Sequence, residues 1–275
     1  MDRLPIEILQ IIIEYDKKII ITLTTLDKLL YSHRKFLSID IDFTKINNIN
    51  TNFQIDTLYN VTKLPLLNIK KSVLKIKFFK LFNKGICDLP LNITHLTFGK
   101  KFNQNVDDLP KKITNLTFGN FFNQNVDNLP KKIIHLIFGN YFNQNVDNLP
   151  KNVTHLTFGS YFNQNIDNLP NNISYLIFGH HFNQNVDNLP KNVTHLTFGW
   201  YFNKNVDNLP NNISYLKFGC YFNQNIDNLP KNITKLIFGS KFNKKIDNLP
   251  TNITFLSFGY DFNQNIDNLP KNIAN

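Results

Sequence analysis

A repeat of 20 residues covers two thirds of the chain and limits what the chain can fold into. Leu-Pro recurs from Pro90 to Pro270, and Phe-Gly and Phe-Asn recur at the same interval. Nine full units therefore run from Leu91 to Pro270 of the 275 residues. Such a period is typical of an array in which each unit packs on its neighbours and cannot bury its own core alone.

Each unit is predicted to be one coil that contains one short strand. In the unit 91–110, Leu96 and Phe98 alternate with Thr97, which is typical of a strand with one face inward. Gly99 permits a sharp exit or a close approach of another backbone. Asn, Gly and Pro are too dense for a helix in a unit of this length. Six positions are the expected core: Ile93, Leu96, Phe98, Phe102, Val106 and Leu109. The sequence therefore predicts a β-rich solenoid with one parallel strand per repeat.

Two polar positions never vary between the nine units. Asn103 and its equivalents are predicted to form a buried amide ladder that bonds to backbone, with Gln104 and Asn105 facing solvent. Asp107 and its equivalents are predicted to cap a turn by accepting hydrogen bonds from nearby amides. A calcium ladder is the alternative, although the glycine-rich Asp repeat of calcium-binding β-helices is absent.

Positions that vary between units are expected to mark the binding face. The position before each strand leucine, which we name the sheet-face stripe, reads His95, Asn115, His135, His155, Tyr175, His195, Tyr215, Lys235 and Phe255. The second position after each glycine, the turn stripe, reads Lys101, Phe121, Tyr141, Tyr161, His181, Tyr201, Tyr221, Lys241 and Asp261. Aromatic and imidazole groups favour protein contact. The predicted target-binding residues are His95, His135, His155, Tyr175, His195, Tyr215, Tyr141, Tyr161 and Tyr201. Edge packing without a binding role is the alternative.

Charge and motifs exclude several classes of function. The net charge of +10 permits an anionic partner, and six lysines follow Leu-Pro in what we name the lysine ribbon: Lys111, Lys131, Lys151, Lys191, Lys231 and Lys271. A solvated edge is the favoured reading of this ribbon over a nucleic-acid site. No nucleophile elbow, phosphate loop or zinc motif occurs, so no enzyme activity, metal or cofactor is expected. Cys87 and Cys220 fit no disulfide spacing, which favours a reducing, cytoplasmic location. The apolar runs are too short to span a membrane.

The N-terminal part of the chain has a different pattern. An apolar stripe over residues 4–15 and a second over 24–35 predict two short helices, and strand-like alternation follows at 36–43. The predicted organisation is a helical segment at 1–40, a linker with degenerate first coils at 41–90, and the solenoid at 91–275.

Two resemblances follow from these motifs. The units FNQNVDNLPKNVTHLTFG resemble the FNIP repeat over about residues 73–275, although Asn105 stands where that family often has proline. FNIP repeats are regarded as relatives of leucine-rich repeats, so the resemblance implies a leucine-rich-repeat-like coil. Leu4-Pro5-x-Glu7-Ile8, with Ile12, resembles the start of an F-box.

The F-box resemblance implies a specific function. F-box proteins with FNIP repeats occur in amoebae and in the giant viruses that infect them. The resemblance implies a substrate receptor of a cullin ubiquitin ligase, which docks on the Skp-type adaptor through Leu4, Pro5, Ile8 and Ile12. The solenoid would hold an unidentified target protein. The location implied is the cytoplasm, or the host cytoplasm if the chain is viral. Two alternatives remain: a protein-binding scaffold whose N-terminal helices cap the first coil, and a nucleic-acid binder that uses the lysine ribbon.

Overall fold

The computed structural model describes residues 57–61, 74–78, 80–86 and 89–273. Within these residues the chain forms one parallel sheet of eleven strands, ordered along the sheet as they are in the sequence, and no helix. The helices predicted at 4–15 and 24–35, and the strand-like segment at 36–43, lie outside the described residues. The strands are β1 Thr57–Val61, β2 Lys75–Phe78, β3 His95–Thr97, β4 Asn115–Thr117, β5 His135–Ile137, β6 His155–Thr157, β7 Tyr175–Ile177, β8 His195–Thr197, β9 Tyr215–Lys217, β10 Lys235–Ile237 and β11 Phe255–Ser257.

The prediction of one parallel strand per 20 residues is confirmed. From β2 to β11 every strand pairs with the next in the same register, so that Leu96 lies beside Leu116 and Leu156 beside Leu176. β1 also pairs with β2, with a register irregularity between Leu58 and Val61. Both β1 and β2 lie within residues 41–90, the range in which the first degenerate coils are predicted.

Strands of three residues are short, and hydrogen bonds on either side of them extend the contact between coils. Before β4, the N–H of Thr114 donates to the carbonyl oxygen of Thr94 at 2.8 Å. After it, the N–H of Phe121 donates to the carbonyl oxygen of Lys100 at 3.0 Å. Within one coil, the N–H of Ile113 closes a turn onto the carbonyl oxygen of Pro110 at 3.2 Å. Backbone groups outside the strands are thereby also paired, which buried coils require.

The core is built from the six predicted positions of each unit. Ile93 and Phe102 are fully buried, and Leu96, Phe98, Val106 and Leu109 are at most 5% exposed. Phe98 and Phe102 stack within one coil at 3.8 Å, and each stacks on its equivalent in the next coil, at 5.6 Å and 6.1 Å. Two columns of phenylalanine rings therefore run through the array and join neighbouring coils. In the last coil Leu256, Phe258 and Phe262 are only partly buried.

Each repeat glycine serves a close approach between coils. A Cβ atom added to Gly159 would lie 2.0 Å from the carbonyl oxygen of Gly139, far inside the contact distance of real side chains. Any side chain at this position would push adjacent coils apart at the end of the strand. Of the two roles predicted for this glycine, the structure supports the close approach.

Candidate protein-binding surface

The alternation within each strand decides which side chains reach the surface. In β6, Leu156 is buried, whereas His155 and Thr157 on either side of it are partly exposed on the outer face of the sheet. The same pattern holds in β3 and β8. The sheet-face stripe therefore lies on the outer face, as its position in the repeat predicts.

The aromatic members of this stripe stack on one another. The ring centroids of His135 and His155 are 4.3 Å apart, those of His155 and Tyr175 are 4.4 Å apart, and those of Tyr175 and His195 are 4.2 Å apart. His195 lies 5.7 Å from Tyr215. The in-register parallel sheet brings these rings together, and the result is an ordered aromatic surface.

The stack ends in a cation. The Nζ atom of Lys235 lies 5.6 Å from the ring centroid of Tyr215 and 4.6 Å from that of Phe255. At the other end His95 is separated from the stack by Asn115, which has no ring. Five of the predicted target-binding residues are thus joined in one stack, and His95 stands apart from it.

The environment keeps several of these imidazoles neutral. Partial burial lowers the pKa of His155 below its ordinary 6.5, and the nearby His135 and His195 lower it further. Burial likewise lowers the pKa of His95, with a further contribution from Lys75. Beside His155, the Oγ1 atom of Thr154 lies 2.8 Å from Nδ1 and fixes the plane of the ring. These lowered pKa values favour the uncharged form of His95 and His155 near neutral pH.

The turn stripe forms a second, more exposed stack. Tyr141, Tyr161, Tyr201 and Tyr221 are each 45–47% exposed, and Phe121 and His181 complete the row. Successive ring centroids from Phe121 to Tyr221 lie 4.8–5.3 Å apart. The Nζ atom of Lys101 lies 4.5 Å from the ring centroid of Phe121 at one end. At the other end Lys241 forms an ion pair with Asp261 at 2.8 Å.

Trp200 belongs to the same surface, and we did not predict it as a binding residue. It is 49% exposed and contacts the ring of His180 edge-on at a centroid distance of 6.4 Å. It is the only tryptophan of the chain, and it directly follows a repeat glycine. Those two facts are the sequence signal that could have identified it, because tryptophan is enriched at protein interfaces.

The invariant Asp residues, Asp107 and its equivalents, which we name the Asp column, are bonded within the protein itself. The carboxylate of Asp127 accepts hydrogen bonds from the side-chain amides of Asn125, at 2.7 Å, and of Asn148 in the next coil, at 3.1 Å. The expected bonds from nearby amides are therefore present, but they come from side chains. The backbone N–H in this turn belongs to Asp127 and donates to Oδ1 of Asn125 at 2.8 Å, so Asn125 caps the turn. Over the residues that the structure describes, no three His, Cys, Asp or Glu side chains form a group that could hold a metal ion.

The predicted amide ladder bonds to backbone as expected, but its asparagines, such as Asn103 and Asn123, are half-buried and not buried. The N–H of Asn123 donates to Oδ1 of Asn103, and Asn123 accepts in the same way from Asn143. Gln124, expected to face solvent, is half-buried, and its Nε2 atom donates to Oδ1 of Asn103 at 3.0 Å. The prediction that this position only faces solvent is wrong, because the long amide reaches back one coil.

The lysine ribbon lies on another part of the coil, directly after the Leu-Pro pair. Its six lysines are all exposed. In the described residues no helix is long and apolar enough to cross a membrane.

Comparison with known proteins identifies the repeat. Seven segments match the FNIP Repeat family, and together they span residues 82–275: 82–121, 102–141, 122–161, 142–181, 182–221, 222–261 and 242–275. The chain belongs to the FNIP-repeat family. A comparison with curated proteins gives no match.

The FNIP array is also similar to a solved structure. The crystal structure of CroV588, described as a novel circular LRR protein, is 41% identical in sequence, with a TM-score of 0.64. The similarity covers 76% of this chain but only 37% of that one. The FNIP coil is therefore leucine-rich-repeat-like, and this chain matches about a third of the length of that protein.

Proposed function

We propose that this FNIP protein is a protein-binding scaffold that holds its target on the outer face of the sheet. The observation that carries the proposal is the continuous stack from His135 to Tyr215, which is ordered by the sheet and partly open to solvent. Rings held in place lose little conformational freedom when a partner binds, so their contact area favours binding. The FNIP repeat and the similarity to an LRR protein support a scaffold of this kind.

Mutation of the sheet face tests this proposal. We expect His155→Asp combined with Tyr175→Asp to abolish capture of the proteins that the wild-type chain retains from a lysate, because two charges would replace stacked rings. Lys151→Asp combined with Lys191→Asp is the matched control, since it alters the lysine ribbon and leaves the sheet face intact. Loss with the control and not with the sheet-face variant would contradict the proposal and favour an anionic partner such as nucleic acid, whose binding falls steeply with salt.

We further propose that the scaffold is the substrate receptor of a cullin-type ubiquitin ligase in the cytoplasm, of the type found in amoebae and giant viruses. The support is the Leu4-Pro5-x-Glu7-Ile8 motif, which resembles an F-box and precedes an FNIP array in the same chain. In this proposal Leu4, Pro5, Ile8 and Ile12 dock on a Skp-type adaptor, and the sheet face carries the target.

A single substitution separates this role from a plain scaffold. If Ile8 contacts an adaptor, Ile8→Asp abolishes adaptor pull-down and leaves the melting temperature nearly unchanged, because a charge at a desolvated contact is costly. If the segment only caps the first coil, the same variant lowers the melting temperature. Absence of adaptor binding by the wild-type chain would refute the ligase role and leave the scaffold role intact.

A further inference from the structure

The order of residues along the turn stripe is close to a palindrome. Tyr141 and Tyr161 precede His181, and Tyr201 and Tyr221 follow it. The stripe begins with a cation, and it ends in an ion pair whose outermost member is an anion. Because the coils stack in register, this order in sequence is also the order in space, one rung per coil.

We propose that the turn stripe is the contact surface for a second copy of this chain, related by a two-fold axis at His181. A two-fold interface brings each residue of a patch against its mirror position on the other copy. The pairs formed across the axis are Lys101 with Asp261, Phe121 with Lys241, Tyr141 with Tyr221, Tyr161 with Tyr201, and His181 with its own equivalent.

Charge complementarity favours this antiparallel arrangement. Lys101 of one copy meets Asp261 of the other, at both ends of the stripe. A parallel arrangement would instead set each residue against itself, so that Lys101 would face Lys101 and Asp261 would face Asp261. Like charges in direct contact oppose association.

The residue types of the stripe suit a contact between proteins. Four tyrosines stay nearly half exposed although Tyr141, Tyr161 and Tyr201 each stack on two neighbouring rings and Tyr221 stacks on one. Trp200 lies next to Tyr201 at the same surface. Tyrosine and tryptophan are the side chains most enriched where protein interfaces concentrate their binding energy. Because both copies have the same rung spacing, the contact keeps its register along the whole stripe.

The size of the stripe predicts weak association. Nine rungs at about 4.8 Å give a length of roughly 40 Å. With a width of about 12 Å, the contact would bury roughly 1,000 Å² in total, at the lower end of specific interfaces. Dimers should therefore form at micromolar or higher concentrations of the chain.

A charge exchange tests the arrangement. Sedimentation equilibrium of the full chain measures the monomer–dimer constant up to several hundred micromolar. We expect Lys101→Asp and Asp261→Lys each to raise the dissociation constant at least ~10-fold, because each sets like charges opposite one another at both ends of the interface. The combined variant, Lys101→Asp with Asp261→Lys, should restore the constant to within about threefold of wild type.

The restoration is specific because the two residues cannot interact within one copy. They lie eight rungs apart, about 38 Å at the spacing of parallel strands. Lys111→Asp makes the same change of charge in the lysine ribbon and should leave the constant unchanged. The three substituted positions, Lys101, Lys111 and Asp261, are exposed or partly exposed. Melting curves like that of wild type would show that each variant is folded.

Three results would overturn the proposal. One is a wild-type chain that remains monomeric throughout the concentration range. Another is a Lys111→Asp variant that dissociates as readily as Lys101→Asp, which would indicate a general effect of charge. The third is a combined variant that dimerises no better than either single variant, which would place the contact on another surface or in another orientation.

Discussion

The backbone N–H of Asn123 donates a hydrogen bond to Oδ1 of Asn103, one coil earlier, at a distance of 2.9 Å. The same bond recurs at every rung of the array from Asn83 to Asn263. A side-chain amide thus replaces the strand partner that the backbone lacks in this turn. Leucine has no acceptor, the serine hydroxyl is too short to reach, and aspartate would add a charge, which accounts for the absence of variation.

Removing one amide from this ladder should destabilise the array. Oδ1 of Asn163 accepts from the N–H of Asn183 at 2.9 Å and from Nε2 of Gln184 at 3.1 Å. Asn163→Ala leaves that N–H without its acceptor, so we expect a loss of about 1–3 kcal/mol in chemical denaturation. Asn168→Ala is the control, because Asn168 is exposed and donates one long bond of 3.2 Å. Equal losses in the two variants would contradict a structural role for the ladder.

The glycine column should tolerate no side chain. A Cβ at Gly159 would lie 2.0 Å from the carbonyl oxygen of Gly139 and 2.7 Å from Cα of Asn140, both of which are backbone atoms that cannot rotate away. Gly159→Ala should therefore cost ~3 kcal/mol or more in the free energy of unfolding. Ser160→Ala, one residue later and partly exposed, should be nearly neutral. A melting temperature for Gly159→Ala equal to that of wild type would show that the coils can separate without cost.

The buried phenylalanine columns should contribute more to the free energy of unfolding than the turn stripe does. Phe158 is 2% exposed and stacks on Phe162 at 3.8 Å, whereas Tyr161 is 47% exposed. Phe158→Ala removes a ring from the core and should cost about 3–5 kcal/mol. Tyr161→Ala should cost far less, since this ring is about half exposed and stacks on two stripe rings, Tyr141 and His181. Thermal melts of both variants compare the two losses, and similar values would mean that the turn stripe belongs to the core.

The histidines of the sheet face should make stability depend on pH. Burial lowers the pKa of His95, His155 and His195 in the folded chain below the ordinary 6.5, which they keep when unfolded. Below that value the unfolded chain binds more protons than the folded chain, so acidification favours unfolding. Well above this pKa the histidines are neutral in both the folded and the unfolded chain, so they add no pH dependence to stability there. Stability should therefore fall as the pH is lowered from about 7 to about 5.

A triple variant isolates the histidine contribution to this pH dependence. His95→Gln, His155→Gln and His195→Gln together remove the three groups with a lowered pKa and retain polar side chains of similar size. Melting temperatures at about pH 7 and pH 5 should differ less in this variant than in wild type. An unchanged difference would assign the acid sensitivity to other groups, such as Asp167, whose pKa is lowered by hydrogen bonds from Asn165 and Asn188.

The repeat by itself determined the fold and the core of this protein. The period of 20 residues predicted one parallel strand per coil, and Ile93, Leu96 and Phe102 could be assigned to the core because apolar side chains that alternate or recur in each coil must point inward. The invariance of Asn103 predicted its ladder, since a polar group that never varies in a stacked coil has a fixed partner.

Only the tertiary structure decided how the surface is arranged. The sequence shows that Tyr161 and His181 are 20 residues apart, but their 4.8 Å contact depends on the path of the turn after each glycine, which no local pattern fixes. For the same reason Gln124 was expected in solvent although it bonds to the coil before it. Contacts within one coil follow from local periodicity. Contacts between coils depend on the rise and register of the stack, which are set by hydrogen bonds and close packing that form only when the coils meet.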